Sequence, residues 1–213
     1  MAEKHIHNNP FRGRLNAWIL HFLEDYMDYK YGKRKRAAFE NLPNTVVEIG
    51  AGAGANLRYF PPDTHLIAIE PNAQMHELLG KNAAKHNIQI DVRGLKGENI
   101  DLESNTVEAA VSTLVLCTVD DPKKVVSEIR RILKPGGKFI FFEHVAAPKD
   151  SKLRSVQNFL LKPWRWMFEG CNLNRETNFL IYQAGFSSVN MDCFMLTSPF
   201  VPISPHIFGT AVK

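Results

Sequence analysis

Short apolar runs alternate with stretches of helical periodicity along most of the chain. Residues 46–49, 66–70, 88–92, 107–112, 138–143, 188–196 and 206–212 read as strands, rich in β-branched and aromatic residues and bounded by turn residues. The first, with Val46, Val47 and Ile49, is apolar enough to be covered on both faces. Between the runs lie helical patterns. Pro71 opens one that continues through Met75, Leu78 and Leu79 to about residue 86. Asp120-Asp121-Pro122 caps another, with Val125, Val126, Ile129, Ile132 and Leu133 as its apolar positions, and Pro135-Gly136-Gly137 stops it. A third runs from Arg175-Glu176-Thr177 to about residue 184. Strands separated by helices predict βαβ units and an α/β fold.

The most informative stretch follows the first strand. Glu48-Ile49-Gly50-Ala51-Gly52-Ala53-Gly54-Ala55-Asn56 reads as a strand running into a glycine turn and then a helix start. Glycines there permit positive φ and let a ligand approach the backbone, and a helix start would aim free N–H groups at it. Two cofactor readings fit. Gly50-x-Gly52-x-x-Ala55, with Glu70 about twenty residues on, satisfies a dinucleotide fingerprint. The same residues satisfy E/D-h-G-x-G-x-G, which resembles the first motif of class I S-adenosylmethionine (SAM) methyltransferases. Glu48 favours the second reading, because an acid in a buried strand is costly without a partner. A blander role for Glu48 is to accept backbone N–H bonds from the loop.

The chain has 213 residues, 45% of them hydrophobic, which suits one domain with a sizeable core. A net charge of +4 is too mild to imply nucleic acid. Cys117, Cys171 and Cys193 are odd in number and far apart, so the spacing shows neither a disulfide framework nor a zinc pattern. No metal is expected, and a reducing, cytoplasmic setting is. The polar start lacks a signal-peptide core, and no apolar run reaches the roughly eighteen residues of a membrane span.

Residues 14–31 predict an amphipathic helix, with Leu15, Trp18, Ile19, Phe22, Leu23 and Tyr26 on one stripe. Lys30, Lys33, Arg34, Lys35 and Arg36 follow. Three readings stand: a lid formed by residues 1–44, peripheral contact with anionic lipid, or a packing helix with a solvated charged end. Residues 148–170 form an aromatic and basic insertion containing Phe159, Trp164, Arg165, Trp166, Met167 and Phe168.

Taken together, the glycine motif, Glu70, Leu114-Val115-Leu116 and Arg131-Ile132-Leu133-Lys134-Pro135-Gly136-Gly137 resemble the type 11 group of class I SAM methyltransferases. Residues 113–117, 142–146, 170–177 and 205–213 further resemble the methyltransferase-like proteins that S-methylate small alkyl thiols. The likeness spans residues 45–213. It implies a Rossmann-like sheet of seven mostly parallel strands with an antiparallel last strand and helices on both faces. It also implies SAM contacts from Glu48, Gly50, Gly52, Gly54 and Asn56 at the first turn, Glu70 and Pro71 after the second strand, Gly97 and Glu98 at an adenine-facing turn, and Thr113 and Leu114 after the fourth strand. Three departures are visible: the thiol-methylating relatives start with a hydrophobic membrane anchor that is not seen here and usually carry Asp at position 70, and the family pattern commonly has an acid where Lys96 stands. The implied activity is methyl transfer to a small acceptor, with a thiol preferred and His144 and His206 as candidates to assist it. O- or C-methylation of a quinone-like or lipid acceptor, a dinucleotide oxidoreductase and a SAM-binding protein without turnover are the alternatives.

Overall fold

A computed structural model describes residues 24–197 and 200–213. Its centre is a seven-stranded sheet in the order β3-β2-β1-β4-β5-β7-β6. The strands are β1 (Thr45–Ile49), β2 (His65–Ile69), β3 (Gln89–Arg93), β4 (Val107–Thr113), β5 (Leu133–His144), β6 (Ser188–Met195) and β7 (Pro205–Val212). Strands β1 to β5 are mutually parallel, and β7 runs antiparallel between β5 and β6. The predicted α/β, Rossmann-like class I methyltransferase arrangement is the one observed.

Alternation along β1 explains how helices come to cover both faces. Val46 packs into one core with Leu66, Ala68, Leu79 and Ala83, under helices α1 (Glu24–Phe39) and α2 (Ala73–Lys85). Val47 and Ile49 point to the other core, under α3 (Pro122–Ile132) and α5 (Thr177–Gln183), with Val125, Ile129 and Ile181. Successive residues face opposite sides, so Glu48 shares the face of Val46 and looks toward α1. Strands β1, β4 and β5 end together, with Ile49 beside Ser112 and Thr113 beside Phe142. Their carboxyl ends form the edge where ligands bind in open α/β sheets.

Several local expectations change. The predicted helix after the glycine turn is only a 3-10 turn over Leu57–Tyr59, because Pro61 and Pro62 follow at once and forbid continuation. Pro71 does not open α2. Asn72 caps it, accepting from Gln74 N at 3.1 Å, and Pro71 is exposed ahead of the cap. Strand β5 begins at Leu133, and the Lys134-to-Gly137 segment is an irregularity in it rather than a separate turn, with the register shifting between Val107 and Ala109. The insertion contains a regular helix, α4 (Lys152–Met167), despite Pro163 within it. Most of the helix predicted over residues 14–31, including the apolar stripe up to Leu23, lies outside the described residues. From Glu24 the chain stays helical to Phe39 through the basic run and Ala37-Ala38, all good helix formers.

No described helix is long and apolar enough to cross a membrane. The antiparallel insertion of β7 demands a close approach at Gly209, where a Cβ would stand 2.2 Å from Asn190 O and 2.8 Å from Phe141 Cζ. Gly209→Ala is therefore expected to cost about 1–3 kcal/mol by overpacking, read as a lower urea midpoint. An unchanged midpoint would show that β6 and β7 do not approach so closely.

Candidate active site

The site is built at the carboxyl ends of β1, β2, β4 and β5. At the end of β1 the glycine turn reverses the chain. Gly50 N donates to Ile69 O at 2.8 Å, and Gly50 and Gly52 hold φ of 67° and 55°. A Cβ on Gly50 would strike Val115 Cγ2 at 2.5 Å, whereas one on Gly52 would meet nothing within 4 Å. Gly50 is thus required by packing, and Gly52 faces open space. Glu70, at the end of β2, holds the turn from below: Oε2 accepts from Gly52 N and Oε1 from Asn72 N, each at 2.8 Å. Each oxygen keeps a further lone pair for a ligand hydroxyl.

Glu48 is 1% exposed and does not bond backbone N–H groups of the loop. Its Oε1 accepts from Asn56 Nδ2, which also donates to Thr113 Oγ1 at 2.7 Å. Asn56 Oδ1 accepts from Lys35 Nζ at 2.7 Å. Lys35 comes from α1, is buried, and lies over the rings of Tyr59 and Phe142. One amide therefore joins β1, β4 and α1. Glu48 Oε2 is buried and has no partner. Burial raises the Glu48 carboxyl from 4.5 to about 7, against the pull of Asn56 and Lys35. Burial likewise lowers Lys35 to about 8, with Glu48 opposing.

The loop after β4 is set by Glu143. Its carboxylate accepts from Ser112 Oγ at 2.7 Å, Val115 N at 3.2 Å and Leu116 N at 3.1 Å. Leu114, inside that loop, has φ of 58°, a left-handed conformation that a branched residue adopts only when its surroundings impose it. Gly97 is buried against Ile49 and Val125, and Glu98 Oε1 accepts from Asp121 N at 3.1 Å. Both adenine-turn candidates thus flank the same edge and help join it to the start of α3.

His144 ends β5 and is 3% exposed, with Nε2 at 3.1 Å from Cys171 Sγ. Cys171 lies 3.6 Å from Cys117 Sγ. His206 sits opposite His144 in the β5–β7 register, and its nitrogens contact Ser204 O at 3.0 Å and Tyr31 Oη at 3.4 Å. Burial lowers His206 to about 4, so the ring is neutral. Beside Cys171, Trp164, Phe168 and Phe200 form an aromatic trio with centroids 4.3–6.0 Å apart. Of the other insertion aromatics, Phe159 and Trp166 are exposed. The structure gathers Glu48, the glycines, Asn56, Glu70, Thr113 and Leu114 at one end of this edge and His144 and His206 at the other.

Sequence reasoning missed Lys35, the loop-holding role of Glu143 and the meeting of Cys117 with Cys171. An acid at the end of β5 was a signal for Glu143. Nothing in the spacing signalled the others.

A methyltransferase domain family matches residues 47–141. Rat thiol S-methyltransferase TMT1B is 35% identical over 195 residues, covering 86% of this chain and 80% of the relative. Human thiol S-methyltransferase TMT1A is 32% identical, covering 92% and 86%. The chain belongs to the thiol S-methyltransferase family. This family member is therefore a SAM-dependent methyltransferase, and the dinucleotide and non-catalytic readings are set aside. A solved SAM-dependent methyltransferase from Thermotoga maritima, described as a possible histamine N-methyltransferase, shares the fold, with TM-score 0.65 and 21% identity over 98% of both chains.

The residues present fit this cofactor. The unpartnered Glu48 Oε2 would complement the ammonium of its methionine part, and the open face of Gly52 gives it backbone to lie against. Because folding holds the Glu48 proton more tightly than the unfolded chain does, the cost of the buried carboxylate appears as pH rises from 4.5 to about 7 and is complete above that. Glu48→Gln should therefore raise the melting midpoint of the ligand-free methyltransferase at about pH 8 and change it little near about pH 5. Scanning calorimetry at both values checks this, and an equal gain at each would contradict it.

Proposed function

We propose that this methyltransferase transfers the methyl of SAM to a small, apolar thiol. The observation that carries the reading is the group of soft and aromatic side chains at the end of β5, where His144 contacts Cys171 and Cys171 follows the Trp164, Phe168 and Phe200 ring cluster, its N donating to Phe168 O at 3.0 Å. The family relatives named thiol S-methyltransferases support the same acceptor class.

SAM brings a methyl already activated by its sulfonium, so the protein's work is to bind, align and exclude water. Glu48 takes the ammonium of the methionine part, with Asn56 fixing the carboxylate between Thr113 and Lys35. Glu70 takes the ribose hydroxyls, Pro71, Gly97 and Glu98 border the adenine, and Thr113 and Leu114 flank the adenosyl group. Gly50 and Gly54 shape the turn. His144 meets the acceptor, and His206 backs it as a neutral wall.

The N-terminal segment acts as the cover of this site, with residues 45–213 forming the methyltransferase domain beneath it. Lys35 is turned inward onto Asn56, and Tyr31, 2% exposed, packs on Phe142 at 4.4 Å between ring centroids. Arg36 pairs with Asp28, and Arg34 with Asp192 and the Phe194 ring. Peripheral membrane contact would therefore draw mainly on Lys33 and the outer part of Arg34, and the cover is the better-supported role. Three free thiols, Cys117, Cys171 and Cys193, suit a reducing, cytoplasmic compartment.

Assaying methyl transfer to a panel of alkyl thiols, phenols, amines and quinols tests the substrate class. Alkyl thiols are expected to be turned over in preference to the rest. Preferred turnover of a quinol, phenol or amine would overturn the reading. Glu70→Ala should weaken SAM binding at least about tenfold in calorimetry while leaving the circular dichroism unchanged, since charge-assisted bonds contribute about 1.5–3 kcal/mol each. Unchanged affinity would move the ribose role elsewhere.

A further inference from the structure

Cys117, His144 and Cys171 are far apart in sequence and come together at the acceptor end of the site. Their ligand atoms all lie within 4.8 Å of one another, with His144 Nε2 at 3.1 Å from Cys171 Sγ and Cys171 Sγ at 3.6 Å from Cys117 Sγ. A tetrahedral zinc with ordinary Zn–S and Zn–N bonds needs edges of about 3.8 Å between sulfurs and about 3.6 Å between sulfur and nitrogen. The two edges that meet at Cys171 Sγ, 3.1 and 3.6 Å, need open by only about half an ångström or less, and the third lies within 4.8 Å. We propose that these residues bind a zinc ion whose fourth position receives the acceptor thiol.

Two further observations support a built site. The two cysteine loops are fastened to each other, since Asn172 donates from its backbone N at 2.8 Å and from Nδ2 at 3.2 Å to Cys117 O. Arg175 fixes the same loop by donating from Nη1 to Leu116 O at 2.6 Å and Val119 O at 2.8 Å.

Ligand count and type then select the metal and its role. Two thiolates and an imidazole suit zinc, and the resulting centre is electrically neutral, which a buried position tolerates. A structural zinc is closed by four protein ligands, whereas a reactive one has three and an open position. Among the described residues the group has three.

The inference rests on the thiol reading and specifies how the acceptor is held. The acceptor thiol binds through sulfur and releases its proton to solvent, because a metal-coordinated thiol is deprotonated. A sulfur lone pair then forms the new S–CH3 bond as the methyl–sulfonium bond breaks, and the bonding pair stays on the departing sulfur. The thioether product is neutral and a poor zinc ligand, so it leaves and the position reopens.

Cobalt(II) serves as the spectroscopic probe, added under reducing, anaerobic conditions to the full chain after chelator treatment. One equivalent is expected to give thiolate-to-cobalt charge-transfer absorption and intense tetrahedral d–d bands. Cys117→Ser and Cys171→Ser should each diminish the charge-transfer band, and Cys193→Ser, at the exposed third cysteine, should not. A short alkanethiol added without SAM should shift the d–d bands, and its methyl thioether should not. Chelation should slow thiol turnover by roughly tenfold and zinc should restore it, as the thiolate fraction gained is partly offset by lower nucleophilicity.

Absence of the charge-transfer band in the wild type, or its persistence in both cysteine variants, overturns the metal site whatever the variants' stability. Full thiol turnover by chelated protein overturns the metal's role and leaves the thiol reading standing. Cobalt binding with a thiol-induced shift, but without methylation of any thiol, supports the site and defeats the thiol reading instead.

Discussion

The Asn56 carboxamide is the contact on which the site depends. It donates to Glu48 and Thr113 and accepts from Lys35, so a single buried side chain joins the first strand, the fourth strand and the N-terminal helix. An unpaired carboxylate could not be buried under the sheet edge without severe cost, and an unpaired ammonium could not cover it. The amide makes both tolerable and still leaves Glu48 Oε2 unsatisfied. On the proposed reading, the ammonium of the cofactor would satisfy it.

Glu70 and Glu143 apply the same logic to loops. Each is a strand-terminal acid whose carboxylate accepts from backbone N–H groups of a neighbouring turn, Gly52 and Asn72 in one case, Val115 and Leu116 in the other. Irregular backbone at a partly buried edge would otherwise carry orphan donors. The acids satisfy them and fix the loops. The positive φ of Leu114 is the strain left over in that arrangement. Rigid loops at the carboxyl edge then present the glycine turn at one end and the Cys117, His144 and Cys171 cluster at the other.

This division matches the chemistry of methyl transfer. On the proposed reading the electrophile would be recognised by charge and hydrogen bonds, which a turn between buried acids provides. A thiol nucleophile offers little to hydrogen-bond, so on the proposed reading it would be held by the aromatic and sulfur-bearing side chains at the other end. The N-terminal helix links the two ends, with Lys35 over the cofactor turn and Tyr31 packed on Phe142 and His206.

The sequence by itself determined the sheet, the helices that cover it and the cofactor turn, because those are written in short-range pattern. Apolar periodicity fixes which residues face the core, and glycines spaced by one residue fix the turn. It misjudged what proximity in the chain cannot encode. The helix expected after the glycines is cut short by Pro61-Pro62, and the cap of α2 is Asn72 instead of Pro71. Lys35 read only as one base in a cluster of five, with no signal that set it apart, yet packing of α1 across the edge buries it. Cysteines 54 residues apart read as unrelated until adjacent strand ends and a fastened loop set their sulfurs 3.6 Å apart. Such meetings depend on strand order and helix docking, which only the tertiary structure decided.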